Sequence, residues 1–245
     1  MNYTQQRIGF IKLKLFSIII FTMILACPIF SQNETDNDND FETWSSIEIE
    51  YKPTKKWSFA LEEQIRLKDN SSVTDQYFTQ LQIEYRAFKN FTFGSGLRYI
   101  KKNDTKGNIQ GYEDHFRFHL DGSYNHKINQ FSFKYRFRYQ NKNELGISRK
   151  EGDFPNQHLR FKTSIDYKIK NWKFDPKFSI EIFNYFEKGE TNGFDKYRVS
   201  IGTDYKLKNF GKLSLFYRLE RELNVDYPKI INIIKFKYSY NFKSY

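Results

Sequence analysis

The chain reads as an all-β protein: an antiparallel transmembrane β-barrel of about twelve strands (ten to twelve), preceded by a signal peptide. Three observations carry that reading. Aromatic and charged side chains alternate with a period of two; a tyrosine–basic turn–aromatic motif recurs five times; and one apolar segment opens the chain, with no later run long enough to span a membrane as a helix.

The alternation is clearest where Phe131, Phe133, Tyr135, Phe137 and Tyr139 interleave with Ser132, Lys134, Arg136, Arg138 and Gln140. Side chains on a strand point alternately to opposite faces, so one face is aromatic and the other polar or charged. The same parity separates Leu159, Phe161 and Ile165 from His158, Arg160 and Lys162. It also separates Ile234, Phe236 and Tyr238 from Lys235, Lys237 and Ser239. Aromatic residues make up 19% of the chain and charged residues 28%. Such interleaving suits a wall with one apolar and one wet face.

Two architectures use such strands. A soluble exported sandwich packs the apolar faces together. A membrane barrel turns them to lipid and lines its lumen with charge. The segments run ~10–14 residues, longer than the five or six usual in soluble sheets and suited to a tilted span. Tyr and Trp recur at strand ends, where an aromatic girdle meets lipid headgroups. These features point to the barrel.

The repeat supplies the organisation. YKPTKKWSF, YRAFKNFTF, YNHKINQFSF, YKIKNWKF and YKLKNFGKLSL begin at Tyr51, Tyr85, Tyr124, Tyr167 and Tyr205, which lie 34, 39, 43 and 38 residues apart. Each unit holds two strands, one tight turn and one longer loop. Short turns are expected at 53–56, 87–90, 127–130, 169–171 and 206–209. Long loops are expected near 68–75, 103–111, 143–156, 188–194 and 224–229. Eleven strands fit between them. Single-chain bacterial barrels have even strand numbers; a further strand, or a split of the first near 41–44, makes twelve, the favoured count, and merging weak segments makes ten.

At the start, Arg7, Lys12 and Lys14 precede an apolar run at 15–29, and Ser31 offers a small residue for cleavage. This is the pattern of a secretory signal peptide. The alternative, an anchor helix, is disfavoured by a run shorter than the ~20 residues that a span needs. The expected organisation is a signal peptide at 1–31, an acidic disordered leader at 32–40 and a barrel at 41–245. The single cysteine, Cys27, sits in a loose lipobox that Leu25 and Pro28 fit poorly. Cleavage near Ser31 leaves no cysteine and hence no disulfide or thiolate chemistry.

The formal charge is +11, about +8 beyond the first apolar run. The bases are spread through the strands and mixed with acids, with no basic tail or dense cluster, which argues against nucleic-acid binding. No P-loop, zinc pattern or EF-hand loop occurs, so no cofactor or metal is expected. His115 and His119 would lie about 13 Å apart along one strand, too far to share an ion. His119, Asp121 and Ser123 supply the residue types of a lipid hydrolase, but alternate residues on one strand fan out and do not converge. No catalytic residues are assigned, and a barrel-embedded lipid-modifying hydrolase stays as an alternative.

The polar faces carry the candidate site. Its lumen-facing charges are Glu62, Arg66, Arg98, Arg117, Lys134, Arg136, Arg138, Arg160, Lys162, Glu181, Arg198, Arg218 and Glu220. They fill a narrow interior either as a structural salt-bridge network or as a positively biased constriction that favours small anionic solutes. Lys134, Arg136, Arg138, Arg160 and Lys162 are mostly unmatched within their own two strands. Gly94 and Gly96 face the same interior and mark a bend, a close inner segment, or relief for bulky neighbours.

Trp44, WSFALEEQIRLKDN, DQYFTQLQIEYR, FGSGLRYIKK, FKYRFRYQNK, FDKYRVSIGTDYKLK and FYRLERELN resemble the domain-of-unknown-function 2490 family of Bacteroidota outer-membrane proteins, over residues 41–245. The resemblance implies an outer-membrane β-barrel and no established activity. The expected location is therefore the bacterial outer membrane. The expected partners are its lipid and lipopolysaccharide, and the insertion machinery, whose signal the terminal FKYSYNFKSY resembles.

Overall fold

The computed structural model describes residues 39–105, 110–147, 154–187, 192–208 and 210–244. Among these residues the chain forms eleven strands: β1 (Asn39–Lys52), β2 (Trp57–Lys68), β3 (Val73–Arg86), β4 (Phe91–Asp104), β5 (Gly111–Ile128), β6 (Phe131–Glu144), β7 (Asn156–Tyr167), β8 (Asp175–Phe186), β9 (Gly193–Lys206), β10 (Lys212–Glu222) and β11 (Ile230–Lys243). Each pairs antiparallel with its neighbours in sequence, and β1 meets β11 to close the barrel. The expected signal peptide and the leader as far as residue 38 lie outside the described residues.

The favoured count of twelve is corrected to eleven. No split occurs near 41–44, because β1 runs unbroken through Trp44. An odd number of up-and-down strands leaves the first and last running the same way. The closing pair is therefore a parallel ladder, in register from Asn39↔Ile230 to Lys52↔Lys243. Closure removes the free edges that an open sheet leaves unpaired. A two-sheet sandwich is thereby excluded, since one sheet closes on itself.

The connections after β1, β3, β5, β7 and β9 gather at one end, here the turn end; those after β2, β4, β6, β8 and β10 gather at the other, the loop end. The loop-end connection between β2 and β3 is shorter than expected, only residues 69–72. Asp69, Asn70 and Ser71 all adopt left-handed backbone conformations. Their arrangement turns successive N–H groups toward one point, a natural anion nest. The Asp40 carboxylate fills it, accepting from the Asp69 and Asn70 amides at 3.2 and 2.9 Å. Asn39 and Asp40 thus belong to β1, not to a disordered leader.

Parity decides what faces where. Phe137 and Phe161 are register partners on the outer wall, 53% and 47% exposed, whereas Arg138 beside them is 7% exposed. Ile47, Leu81, Leu97, Leu120 and Ile201 join the same outer surface. A wall that is apolar outside and charged inside inverts the pattern of a water-soluble sheet.

The repeat now has a structural meaning. The aromatic residue leading one unit contacts the tyrosine opening the next: Trp57 with Tyr85 at 4.7 Å, Phe91 with Tyr124 at 6.0 Å, Phe131 with Tyr167 at 4.7 Å and Phe174 with Tyr205 at 5.2 Å between ring centroids. Each aromatic pair of this kind adds about 0.5–1.5 kcal/mol beyond its burial. Spaced around the turn end from β2 to β9, these pairs form a girdle. His126, beside the turn expected at 127–130, lies in β5 and stacks on Phe133 at 5.0 Å within the same belt.

Two glycines make room for rings laid across neighbouring strands. A Cβ on Gly96 would stand 2.4 Å from Cε1 of His119, its register partner on β5. A Cβ on Gly202 would meet the Leu215 carbonyl at 2.3 Å and the Phe216 ring at 2.4 Å. Of the roles open to Gly96, relief for a bulky neighbour is the one realised. Gly96→Ala is expected to destabilise the barrel by about 1–3 kcal/mol through overpacking, and His119→Ala in the same chain should restore part of the loss. Gly122→Ala, where an added Cβ meets nothing within 4 Å, should stay within about 0.5 kcal/mol of the parent. Urea unfolding in lipid vesicles checks all three.

Candidate functional site: the charged lumen

The inward face of every strand contributes to one interior. Following the hydrogen-bond direction around the wall, Glu62, Gln80, Arg98, Arg117 and Lys142 are successive register partners from β2 to β6. A second row runs Ser123, Arg136, Lys162, Glu181, Arg198 and Glu220 from β5 to β10. From Lys162 to Glu220 the second row alternates in sign, whereas Arg98, Arg117 and Lys142 in the first row are like charges side by side.

Glu181 on β8 is the centre of the second row. It is 3% exposed. Its Oε1 accepts from Arg136 Nη2 at 2.7 Å and lies 2.9 Å from Arg160 Nη2; Oε2 lies 3.7 Å from Arg198. Arg198 turns the rest of its fork to Glu220, which also takes Lys196 at 3.1 Å. On the neighbouring strand pair, Arg138 of β6 donates from Nε and Nη2 to the two oxygens of Asp121 on β5, each at 2.6 Å. Such bidentate charge-assisted pairs are the strong ones. Glu62 sits 3.6 Å from Lys235 and 3.9 Å from Lys237, and Lys237 also reaches Glu48 at 2.6 Å.

These contacts redistribute the expected excess charge. Arg136, Arg138 and Arg160, unmatched within β6 and β7, find carboxylates on β5 and β8. Lys134 points into a turn-end vestibule of about 1000 Å³, which Arg86, Lys89, Lys127 and Lys177 also line. Eleven of the thirteen candidates, all but Lys134 and Glu220, surround a mid-lumen cavity of about 290 Å³. Lys162 lines both spaces and stands between them.

Parity on β1, β3 and β8 also turns apolar side chains inward, and these escaped the sequence reading. Trp44, Phe78 and Phe183 are 4% exposed or less, with Ile100 and Ile233 equally buried. They serve as platforms for guanidinium groups. Arg66 lies 3.7 Å from the Trp44 ring centroid, Arg98 lies 3.4 Å from that of Phe78, and Arg160 lies 4.4 Å from that of Phe183. Desolvated cation–π contacts of this kind contribute about 2 kcal/mol each. The signal was available: Trp44 shares its face with Glu42, Ser46 and Glu48, and Phe78 shares its face with Gln80 and Gln82.

His119 is fully buried against Gly96 and its Nε2 lies 3.8 Å from Asp121, whose two oxygens accept from Arg138; Ser123 lies two positions further along β5 than Asp121. His158 pairs with Asp195 at 3.2 Å and packs on Tyr185. At the loop end, Glu113, His115 and Glu144 bring ligand atoms within 4.8 Å of one another. Lys102, 3.9 Å from Glu113, places a competing positive charge beside that group.

A single closed sheet with an apolar outer wall, an aromatic belt and a charge-filled interior defines the class: a β-barrel built like those that cross membranes. The chain belongs to the family described as protein of unknown function (DUF2490), whose model matches residues 41–226. No curated protein matches it. Among solved structures it is similar to the β domain of the Bordetella autotransporter BrkA, at 12% identity and a TM-score of 0.47, covering 72% of this chain and 80% of that one.

Glu181→Gln removes the charge shared by three guanidiniums and leaves them buried around a neutral amide. Losing one partner of a buried ionic cluster costs about 3–5 kcal/mol. That loss is expected in urea unfolding, against under about 1 kcal/mol for Asp114→Asn, whose pair with Lys101 at 3.0 Å is solvent-exposed.

Proposed function

We propose that this chain is a non-enzymatic outer-membrane β-barrel whose narrow lumen accepts small anionic solutes. One observation carries the reading. The wall of the mid-lumen cavity holds twelve Lys and Arg residues against three glutamates. In a space of that size, walled by protein, so large an excess sets a positive potential that raises the local concentration of anions and repels cations. The turn-end vestibule extends the bias, with six cationic side chains against Glu84 and Asp166.

The membrane location is supported by the apolar outer wall and by the girdle of paired aromatic rings, which suit hydrocarbon and headgroup contact. Outer-membrane lipid and lipopolysaccharide are the partners of that surface, and the insertion machinery is a partner during assembly. The non-enzymatic reading is supported by the roles these side chains already hold: His119 packs against Gly96, and both oxygens of Asp121 are engaged by Arg138.

Purified protein in planar bilayers, bathed by a KCl gradient, is expected to give small current steps whose reversal potential favours chloride. Lys162→Glu, at the junction of cavity and vestibule, should move that potential toward zero. Absence of steps would instead indicate a sealed scaffold, as the bridge through Glu181 would favour; cation preference would overturn the reading outright.

A further inference from the structure

We propose that the mid-lumen cavity contains a binding site for a tetrahedral oxyanion of the phosphate class, held by Arg66, Arg98, Arg117 and Arg218. The inference rests on the anion-accepting reading of the lumen, but it requires no passage through the barrel.

The four guanidiniums differ from the other arginines of the lumen. Arg136, Arg138, Arg160 and Arg198 each lie within ion-pairing distance of a carboxylate. Among the described residues, Arg66, Arg98, Arg117 and Arg218 have none so close, because Glu181, Glu220, Asp121 and Glu62 are engaged by other cations. All four line the same cavity of about 290 Å³.

Their surroundings make the excess charge acute. Arg98 and Arg117 are directly opposed across β4 and β5, and Lys142 follows Arg117 in the same row. Like charges facing each other on adjacent strands are destabilising. Both arginines are at most 8% exposed, so water does little to screen them. One neutral oxygen, Gln80 Oε1, serves both: it accepts from Arg98 Nε and Nη2 at 2.9 and 2.6 Å and from Arg117 Nη2 at 3.3 Å.

Donors remain. The Nε–H groups of Arg66, Arg117 and Arg218 are buried and reach no protein acceptor. Arg66 and Arg98 are held by their aromatic platforms, which fixes the guanidinium planes while leaving N–H edges free to donate. Planar forks with several fixed donors match the oxygens of phosphate or sulfate and discriminate against a spherical halide. Four forks from β2, β4, β5 and β10 approach the cavity from different sides of the barrel. A tetrahedral anion has acceptor oxygens in as many directions. A free anion is the ligand, since the site lies inside the lumen and is approached from the vestibule past Lys162.

The test uses the full-length protein in detergent at constant ionic strength, titrated calorimetrically with inorganic phosphate against a potassium chloride background. Saturable binding is expected, and phosphate should raise the unfolding temperature. The Arg98→Gln/Arg117→Gln double variant should bind at least tenfold more weakly and lose the phosphate-dependent rise. Because it relieves opposed like charges, it should also unfold at a higher temperature than the parent in phosphate-free buffer. Lys177→Gln in the vestibule should bind within twofold of the parent. Should the double variant fail to fold, as judged by heat-modifiable gel migration, Arg66→Gln is measured in its place, with the same weakening expected. No saturable binding by the parent, or unchanged affinity in the arginine variant, overturns the site. Binding of sn-glycerol 3-phosphate as tight as that of phosphate would overturn the assignment to a free anion in favour of a headgroup. Binding without bilayer current keeps the site and removes the passage; current without binding removes the site and keeps the passage.

Discussion

Each strand of a closed sheet commits every second side chain to the lumen, and eleven strands enclose little room. That constraint organises the molecule. Arginines, lysines and glutamates on the inward faces are brought together whether or not their charges balance, and the solutions differ from one sector of the wall to the next. From β7 to β10 the charges alternate in sign around Glu181. From β2 to β6 they do not, and amide oxygens and aromatic faces stand in for carboxylates.

The two sectors explain one another. Asp121 and Glu181 sit beside the arginines of β6 and β7, and Glu62 and Glu220 are held by Lys235, Lys196 and Arg198. Arg66, Arg98 and Arg218 then rely on Trp44, Phe78 and Phe216. Flat rings accept a guanidinium without requiring a full negative charge. They also occupy volume and so narrow the interior.

Much of the architecture was legible in sequence because a period of two is a strong signal. The faces of Phe131–Glu144 follow from parity alone, and the Tyr51, Tyr85, Tyr124, Tyr167 and Tyr205 repeat marked the girdle before any contact was known. Pairing between charges was not legible. Arg138 and Asp121 are 17 residues apart in sequence and Arg136 and Glu181 are 45 apart, and only strand register brings them together. Inward aromatics such as Phe78 were legible by parity, yet hydrophobicity alone assigns them to the outer wall. The role of Gly202 was hidden for a different reason: it depends on where the Phe216 ring lies, which no local pattern encodes. Eleven segments are readable by the same parity and all eleven are strands; only the even-number rule of other barrels favoured a twelfth, which the described residues do not contain.

The parallel seam between β1 and β11 also fixes where the polypeptide enters and leaves the wall. Every other junction returns the chain to a neighbour running the opposite way, but β1 starts at the loop end and β11 finishes at the turn end, so Asn39 and Lys243 stand at opposite mouths of the barrel. Under the membrane reading proposed above, those two mouths open to different aqueous compartments.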